Sequence, residues 1–288
     1  MQRILINATY ADERRLAMVD GQQLLDYEIE IEGEEQRKGN IYQGVVTRID
    51  RISGACMVDY GDGRDGLLPL KEISMQCLRQ GFAPSQLYNP PAIKEGDELM
   101  VQVVEEEFET QGAILSTAIA LIGRYLVLVP SGHHGNGISR CIEGNAQAGL
   151  NDLLSQLAYP QGMAITARDA AMRRSATELQ RDLNYLLKLW DAIEGATQNN
   201  EGAYLIYQES NLVIRTIRDY FHDDVAAILI DSEELYEQAR QFMSIVMPEY
   251  AGRIEHYQED MPLFEHFRVA DQMEAVYPHS GRPAPAQR

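Results

Sequence analysis

Apolar residues fall at two different periods along the chain, and the change of period marks its organisation. At the N-terminus the spacing is strand-like. Ile4-Leu5-Ile6 opens an apolar run, residues 15–19 lead into Asp20-Gly21, and Leu25, Tyr27, Ile29 and Ile31 then alternate with other residues. Asp-Gly between two such runs predicts a hairpin, because both turn residues must tolerate positive φ. From Asn40 to Ser116 the texture is β throughout. Strands are expected at 41–49, which carries a glycine, at 55–60, at 66–70, at 99–104 and at 112–117. Gly61-Asp62-Gly63 closes the second, and a loop rich in proline and polar residues spans 81–91. Five short strands bent at glycines predict a small closed barrel of the OB type.

Beyond the barrel the period mixes. Strands are expected at 125–129, 162–167, 204–207, 212–214 and 226–230, and 254–257 is expected to pair back into a sheet. Ser175-x-x-Glu178 is a capping box, in which side chains satisfy the orphan amides of a helix start. Behind it Leu179, Leu183, Leu186, Leu187, Trp190 and Ile193 fall at helical spacing. Asp231-x-x-Glu234 is expected to cap a second helix that buries Leu235, Ala239, Phe242, Met243 and Val246 and ends at Pro248. Residues 196–202 form a polar linker, and the proline-rich stretch 278–288 is expected to fray.

Composition sharpens this outline. A chain of 288 residues can bury two or three cores, and 45% apolar with 24% charged content is that of a soluble globular protein. Lys plus Arg number 25 against 44 Asp plus Glu, a net charge of −19. Nucleic-acid binders carry basic faces because much of their affinity comes from neutralising phosphates, so this balance argues against tight, non-specific binding. No window approaches the roughly 18–20 apolar residues of a membrane span. The first eight residues lack a secretory core, and a cytoplasmic location is expected. Cys56, Cys77 and Cys141 form no CxxC pair and are expected as free thiols. Asp59, Asp62 and Asp65 resemble a metal loop, although Gly61 and Gly63 favour turn chemistry, and His133-His134 has no third ligand nearby in sequence.

The residues resemble the N-terminal half of the RNase E/RNase G family of bacterial endoribonucleases, nearer its RNase E branch. The match runs collinearly through Ile4-Leu5-Ile6-Asn7-Ala8-Thr9, Gly39-Asn40-Ile41-Tyr42-Gln43-Gly44, Val58-Asp59-Tyr60-Gly61 and Leu68-Pro69-Leu70-Lys71-Glu72-Ile73. It continues through Tyr125-Leu126-Val127-Leu128, Gly137-Ile138-Ser139-Arg140, Gln208-Glu209-Ser210-Asn211 and Ile228-Leu229-Ile230-Asp231 to about Val276. The resemblance implies a multidomain α+β architecture. A split RNase H-like domain would comprise 1–35 and 214–276, an OB-fold RNA-binding barrel 36–118, and an α/β 5′-sensor domain 119–213, with 277–288 a disordered tail. The family's nuclease subdomain, with two aspartates that bind Mg²⁺ and a cysteine motif that links protomers through Zn²⁺, has no counterpart here. The resemblance therefore implies no catalytic residues, no metal and no cofactor in this chain.

Site residues carried over from the family are altered. At the barrel's base-stacking positions stand Met57 and Leu67, apolar but not flat, with Tyr60 nearby as either a stacking ring or a core-edge tyrosine. Arg37 and Lys38 keep a positive pair at the barrel entrance. Lysines expected near the last barrel turn are replaced by Glu105-Glu106-Glu107 and by Gln111, and residues 36–118 hold eight Lys plus Arg against twelve Asp plus Glu. In the 5′-phosphate pocket Gly123, Val127 and Arg168 match, Arg140 matches a supporting arginine, and Asp169 stands where the family has threonine. The resemblance thus implies a truncated, non-catalytic homologue that binds single-stranded RNA weakly or acts as a regulator. Two alternatives stand beside it. One is an interaction protein that competes for RNase E-type subunits or self-associates. The other is an active single-strand endoribonuclease whose nuclease subdomain lies outside this chain, the chain itself then being a fragment.

Overall fold

The computed structural model describes residues 1–10, 12–33, 36–73, 93–106, 112–131, 137–138, 145–197, 202–209 and 211–276. The expected loops at 81–91 and His133-His134, the residues Cys77 and Cys141, and the tail 278–288 lie outside them. The chain divides into two compact units, residues 1–35 with 210–288, and residues 36–209. Among the described residues no helix is long and apolar enough to cross a membrane.

The first unit is built on a mixed five-stranded sheet. β1 (Gln2–Tyr10), β2 (Glu13–Asp20) and β3 (Gln23–Ile31) form an antiparallel meander, and Gly21, at φ +63°, makes the turn between the last two. β14 (Val225–Ile230) lies parallel to β1 on its other side, and β15 (Ile254–His256) lies parallel to β14. Ile4, Leu5 and Ile6 are all fully buried, because β1 sits inside the sheet and is covered on both faces. On one face Leu5, Ala17, Val19, Ala227 and Leu229 pack with Leu263, Phe264, Val269 and Met273 of the short helices α5 (Leu263–His266) and α6 (Val269–Val276). The helices α3 (Leu212–Tyr220) and α4 (Glu233–Val246) pack on each other, and α4 on β14 and β15.

Two readings of this unit are corrected. Residues 212–214, expected as a strand for their β-branched run, open α3 instead. Asn211 accepts the Ile214 amide as its N-cap, and Leu212, Val213, Thr216 and Ile217 are buried at helical spacing. A threonine inside the apolar stripe, its hydroxyl bonded back to the Leu212 carbonyl at 2.6 Å, disguised the period. The cap of α4 is Ser232 rather than Asp231. Asp231 faces the end of β1, accepting the Ala8 amide at 2.8 Å, the Thr9 hydroxyl at 3.0 Å and the Asn7 side-chain amide.

The second unit contains the expected barrel. β4 (Ile41–Asp50), β5 (Ala55–Asp59), β6 (Gly66–Pro69), β8 (Ile114–Ser116) and β7 (Glu98–Glu105) follow one another, and β7 pairs back onto β4 to close the ring. Val46, Cys56, Val58, Tyr60, Leu68, Leu99, Val101, Val103 and Leu115 fill it. β4 serves two neighbours on one edge in succession: β13 (Tyr204–Tyr207) pairs with residues 41–43, and β5 with residues 45–50. A Cβ at Gly44 would come within 2.5 Å of Val58 Cγ1, so the glycine in this strand lets the barrel wall close.

The same unit carries a four-stranded sheet in the order β11 (Gly137–Ile138), β12 (Ala164–Ala167), β10 (Leu126–Val129), β9 (Leu121–Ile122). α2 (Ala176–Ala196) packs on β10 with Leu179, Leu183 and Leu186 buried, and its capping box is complete. Burial opposes ionisation of Glu178, but the Ser175 amide and hydroxyl and the charge of Arg174 outweigh it and hold the carboxyl below its ordinary range. α1 (Asn145–Ser155) packs on β11 and β12 and was not anticipated from the pattern.

Two glycines should respond oppositely to alanine. Gly44→Ala overpacks the barrel wall and should destabilise the protein by about 1–3 kcal/mol. Gly195→Ala, on an exposed stretch of α2 with nothing within 4 Å of the new methyl, should stabilise it by about 0.5–1 kcal/mol. Urea unfolding midpoints measured on the two variants check both signs.

Candidate nucleic-acid interface

On a strand, alternate side chains leave the barrel, so the register of neighbouring strands decides which outward residues form a row. Arg48 on β4 pairs with Met57 on β5, Met57 with Leu67 on β6, Leu67 with Ile114 on β8, and Ile114 with Glu105 on β7. Their strand neighbours Cys56, Val58, Leu68 and Leu115 point into the core. The outcome is a row across five strands: a cation, three aliphatic side chains and an acid. Leu67, at 37% exposure, is its most open apolar member. Met57 and Leu67 are thus brought together, joined by Arg48 and Ile114, which sequence reasoning had not singled out. Arg48 reaches the row through an irregularity between Val46 and Arg48 that breaks the period of two, so simple alternation does not place it.

Tyr60 is placed differently. It is 1% exposed, its ring meeting Tyr42 edge-on with centroids 5.0 Å apart, and only its hydroxyl reaches outward, to Asp62 at 3.3 Å. A ring enclosed in this way is a core residue and offers no face to a base. Burial, together with the charge of Asp62, raises the Tyr42 pKa against the pull of Asn40 and Arg37.

At the barrel entrance acids engage the Arg37 side chain and the backbone amides of Arg37 and Lys38. Arg37 forms an ion pair with Asp62, and one carboxylate oxygen of Glu106 accepts the backbone amides of Arg37 at 2.7 Å and Lys38 at 3.2 Å. Asp59 bonds the Gly61 amide and Asp65 accepts the Thr47 hydroxyl, so the three aspartates spaced by three serve the turn and its surroundings. Among the described residues no group of three or more His, Cys, Asp or Glu could hold a metal ion.

A second constellation lies at the start of β10. Arg168 follows β12, its amide bonded to the Tyr125 carbonyl at 2.8 Å, and its guanidinium donates to the carbonyl oxygens of Gly123 and Arg124. Gly123 and Arg168 therefore meet. Val127 pairs with Thr166, two residues before Arg168, and with Ile122. Asp169 is exposed and opens a single 3₁₀ turn over Asp169–Ala171. Arg140 and Gln111 lie outside the described residues.

Against the start of β10 lies Asp182 of α2, fully buried, which accepts the amides of Arg124 at 3.0 Å, Tyr125 at 2.8 Å and Leu126 at 2.9 Å. Burial pushes its carboxyl up, against the pull of those amides and of Arg168. The Tyr125 ring, also fully buried, has Arg124 and Arg174 each 5.5 Å from its centroid, and desolvation pushes its hydroxyl up to about 12.

Both constellations fall within segments that match known protein families. The model of the S1 RNA binding domain matches residues 35–118, and that of the Ribonuclease E/G family matches residues 120–280. Ribonuclease E of Haemophilus influenzae is 42% identical over 281 residues, covering 96% of this chain and 30% of that protein. Ribonuclease E of Escherichia coli K12 is 42% identical over 279 residues, with 96% and 26% covered. Ribonuclease G of Escherichia coli K12 is 31% identical over 278 residues, covering 94% of the chain and 56% of its own length. The chain thus spans between a quarter and a third of the length of these Ribonuclease E relatives. The five-stranded barrel is an S1 domain of the OB type, and the chain belongs to the Ribonuclease E/G family.

Proposed function

We propose that this chain holds single-stranded RNA on the outer face of its barrel and reads the strand's 5′ end at the turn of residues 123–127, without cutting it. In this reading residues 1–35 with 214–276 are the RNase H-like scaffold, 36–118 the RNA-binding barrel and 119–213 the 5′ sensor. The observation that carries it is the row Arg48–Met57–Leu67–Ile114 on an S1 barrel. Aliphatic side chains give bases a contact surface, while Arg48 supplies a phosphate partner at one end. Holding rather than cutting is supported by where the carboxylates go. Metal-assisted hydrolysis needs acids that converge on an open position. Asp62, Asp182 and Asp231 are instead bonded to guanidinium, backbone amides and neighbouring side chains.

Binding in this reading is weak for two reasons. A flat ring stacked on a base is worth roughly 1–3 kcal/mol, and the row has none. Glu106 also occupies the amides of Arg37 and Lys38 that would otherwise face a phosphate. The second observation favours a second reading, an interaction protein that competes for RNase E-type subunits or pairs with itself. A barrel edge already satisfied by carboxylates suits a protein surface better than a polyanion.

Salt-dependent binding of a 3′-labelled, single-stranded oligoribonucleotide separates the two. Measurable affinity at low salt, falling with added salt at a log–log slope of about 0.7 per phosphate contact, is expected. No binding at low salt would sink the RNA reading and leave protein association as the survivor. With Mg²⁺ added, a 5′-monophosphorylated strand should remain intact, and its cleavage would restore the nuclease reading.

Two variants should strengthen binding. Glu106→Gln removes a charge beside the phosphate path while keeping an acceptor for the two amides. It should raise affinity roughly fivefold at low salt, about 1 kcal/mol, with the gain shrinking at high salt. Leu67→Phe adds a flat ring to the row and should gain about 1 kcal/mol or more with little change in salt slope. Fluorescence anisotropy across a salt series distinguishes these two signatures.

A further inference from the structure

We propose that Asp182 is a positioning residue for 5′-phosphate recognition, setting the direction of the peptide planes that hold Arg168. The inference rests on the 5′-end reading above and deepens it. Asp182 falls within the apolar stripe of α2, between the buried Leu179 and the buried Leu183 and Leu186. A carboxylate buried there demands several donors. It takes the amides of Arg124, Tyr125 and Leu126, the three residues that directly follow Gly123.

Peptide geometry carries the argument further. In a trans peptide the N–H of one residue and the C=O of the preceding residue point in opposite directions. Drawing the amides of Arg124 and Tyr125 down to Asp182 therefore turns the carbonyls of Gly123 and Arg124 the other way. Those two carbonyls are the ones that accept the Arg168 guanidinium. Asp182 and Arg168 thus grip opposite sides of the same two peptide planes. Gly123 completes the arrangement, because a Cβ there would lie 2.6 and 2.8 Å from the two Asp182 carboxylate oxygens. Two residues matched to the phosphate pocket, Gly123 and Arg168, are thereby both placed by an acid that the pocket's ligand need not touch.

The test compares affinities of the full chain for 3′-labelled oligoribonucleotides bearing a 5′-monophosphate or a 5′-hydroxyl. The wild type should prefer the monophosphate by about tenfold, the scale of a few charge-assisted hydrogen bonds. Asp182→Asn, measured well below its unfolding midpoint, should bring that preference to about one while affinity for the 5′-hydroxyl strand is unchanged. A purely structural role would lower the unfolding midpoint and leave the preference standing. If the wild type discriminates and folded Asp182→Asn still does, the positioning role is overturned and the 5′-end reading survives. If the wild type shows no preference, the 5′-end reading itself fails and takes this inference with it.

A measurement on the wild type serves where the variant does not fold. Amide exchange at residues 124–126 should be slow and unaltered by the 5′-monophosphorylated strand, while the Arg168 side-chain signals shift. Transfer of those amides to the ligand, seen as altered exchange at 124–126, would overturn the proposal.

Discussion

Carboxylates that accept backbone amides hold this protein's connections together. Asp50 takes the amides of Ile52 and Ser53 in the first barrel hairpin, Asp59 that of Gly61, and Asp97 that of Lys94 before β7. Glu178 takes the Ser175 amide at the head of α2, Asp182 takes three amides at the head of β10, and Asp231 takes the Ala8 amide near the end of β1. Turns and element ends are where amides lack partners, and a charged acceptor there makes a short, strong bond. The Ser53 hydroxyl and these two amides hold the Asp50 carboxyl below its ordinary range. A net charge of −19 is therefore not merely a solvated surface. Part of it is structural, spent where chain direction changes.

That use of acid has a functional consequence at the barrel. A carboxylate and a phosphate oxygen seek the same donors. Glu106 on the amides of Arg37 and Lys38, and Asp62 on the Arg37 side chain, therefore stand where a nucleic acid would look for charge. The same chemistry plays a different part at the second constellation. Asp182 lies on the inner side of its peptide planes and leaves their outer side to Arg168. In the proposed function one acid would compete with an RNA ligand and the other would prepare a place for it, and the side of the backbone each occupies would decide which.

The barrel was legible because its strands are short, alternating and cut by glycines, so each local signal agreed with the closed sheet. The α2 capping box was equally plain. What failed did so where a polar residue sat inside an apolar stripe. Thr216 broke the helical period of α3, and its β-branched neighbours then read as a strand. Asp182 occupied a core position of α2 at i+3 from Leu179, a signal that was present and overlooked. Asp231 stood one residue before the true cap, and chemistry alone could not say that it served a strand 223 residues away in sequence. Arg48 and Ile114 were missed because a row across a barrel is a property of register, and register includes irregularities that no single strand reveals. For Tyr60 the sequence left two readings open, and burial chose the core.

Within the proposed function, the weakness of the barrel becomes part of how the chain would choose its RNA. An aliphatic row favours no base and gains little from any, and acids beside it blunt the general attraction for phosphate. A strand that met only the barrel would leave quickly. A terminal phosphate held by Arg168 at residues 123–127 makes the barrel contact an intramolecular event, and two weak contacts on one strand multiply rather than add. Strengthening the barrel would erode this preference, because internal RNA segments would then bind without help from an end. The acidic residues at the barrel, Asp62 and Glu106 among them, are on this argument what would make the chain answer to 5′ ends rather than to RNA at large.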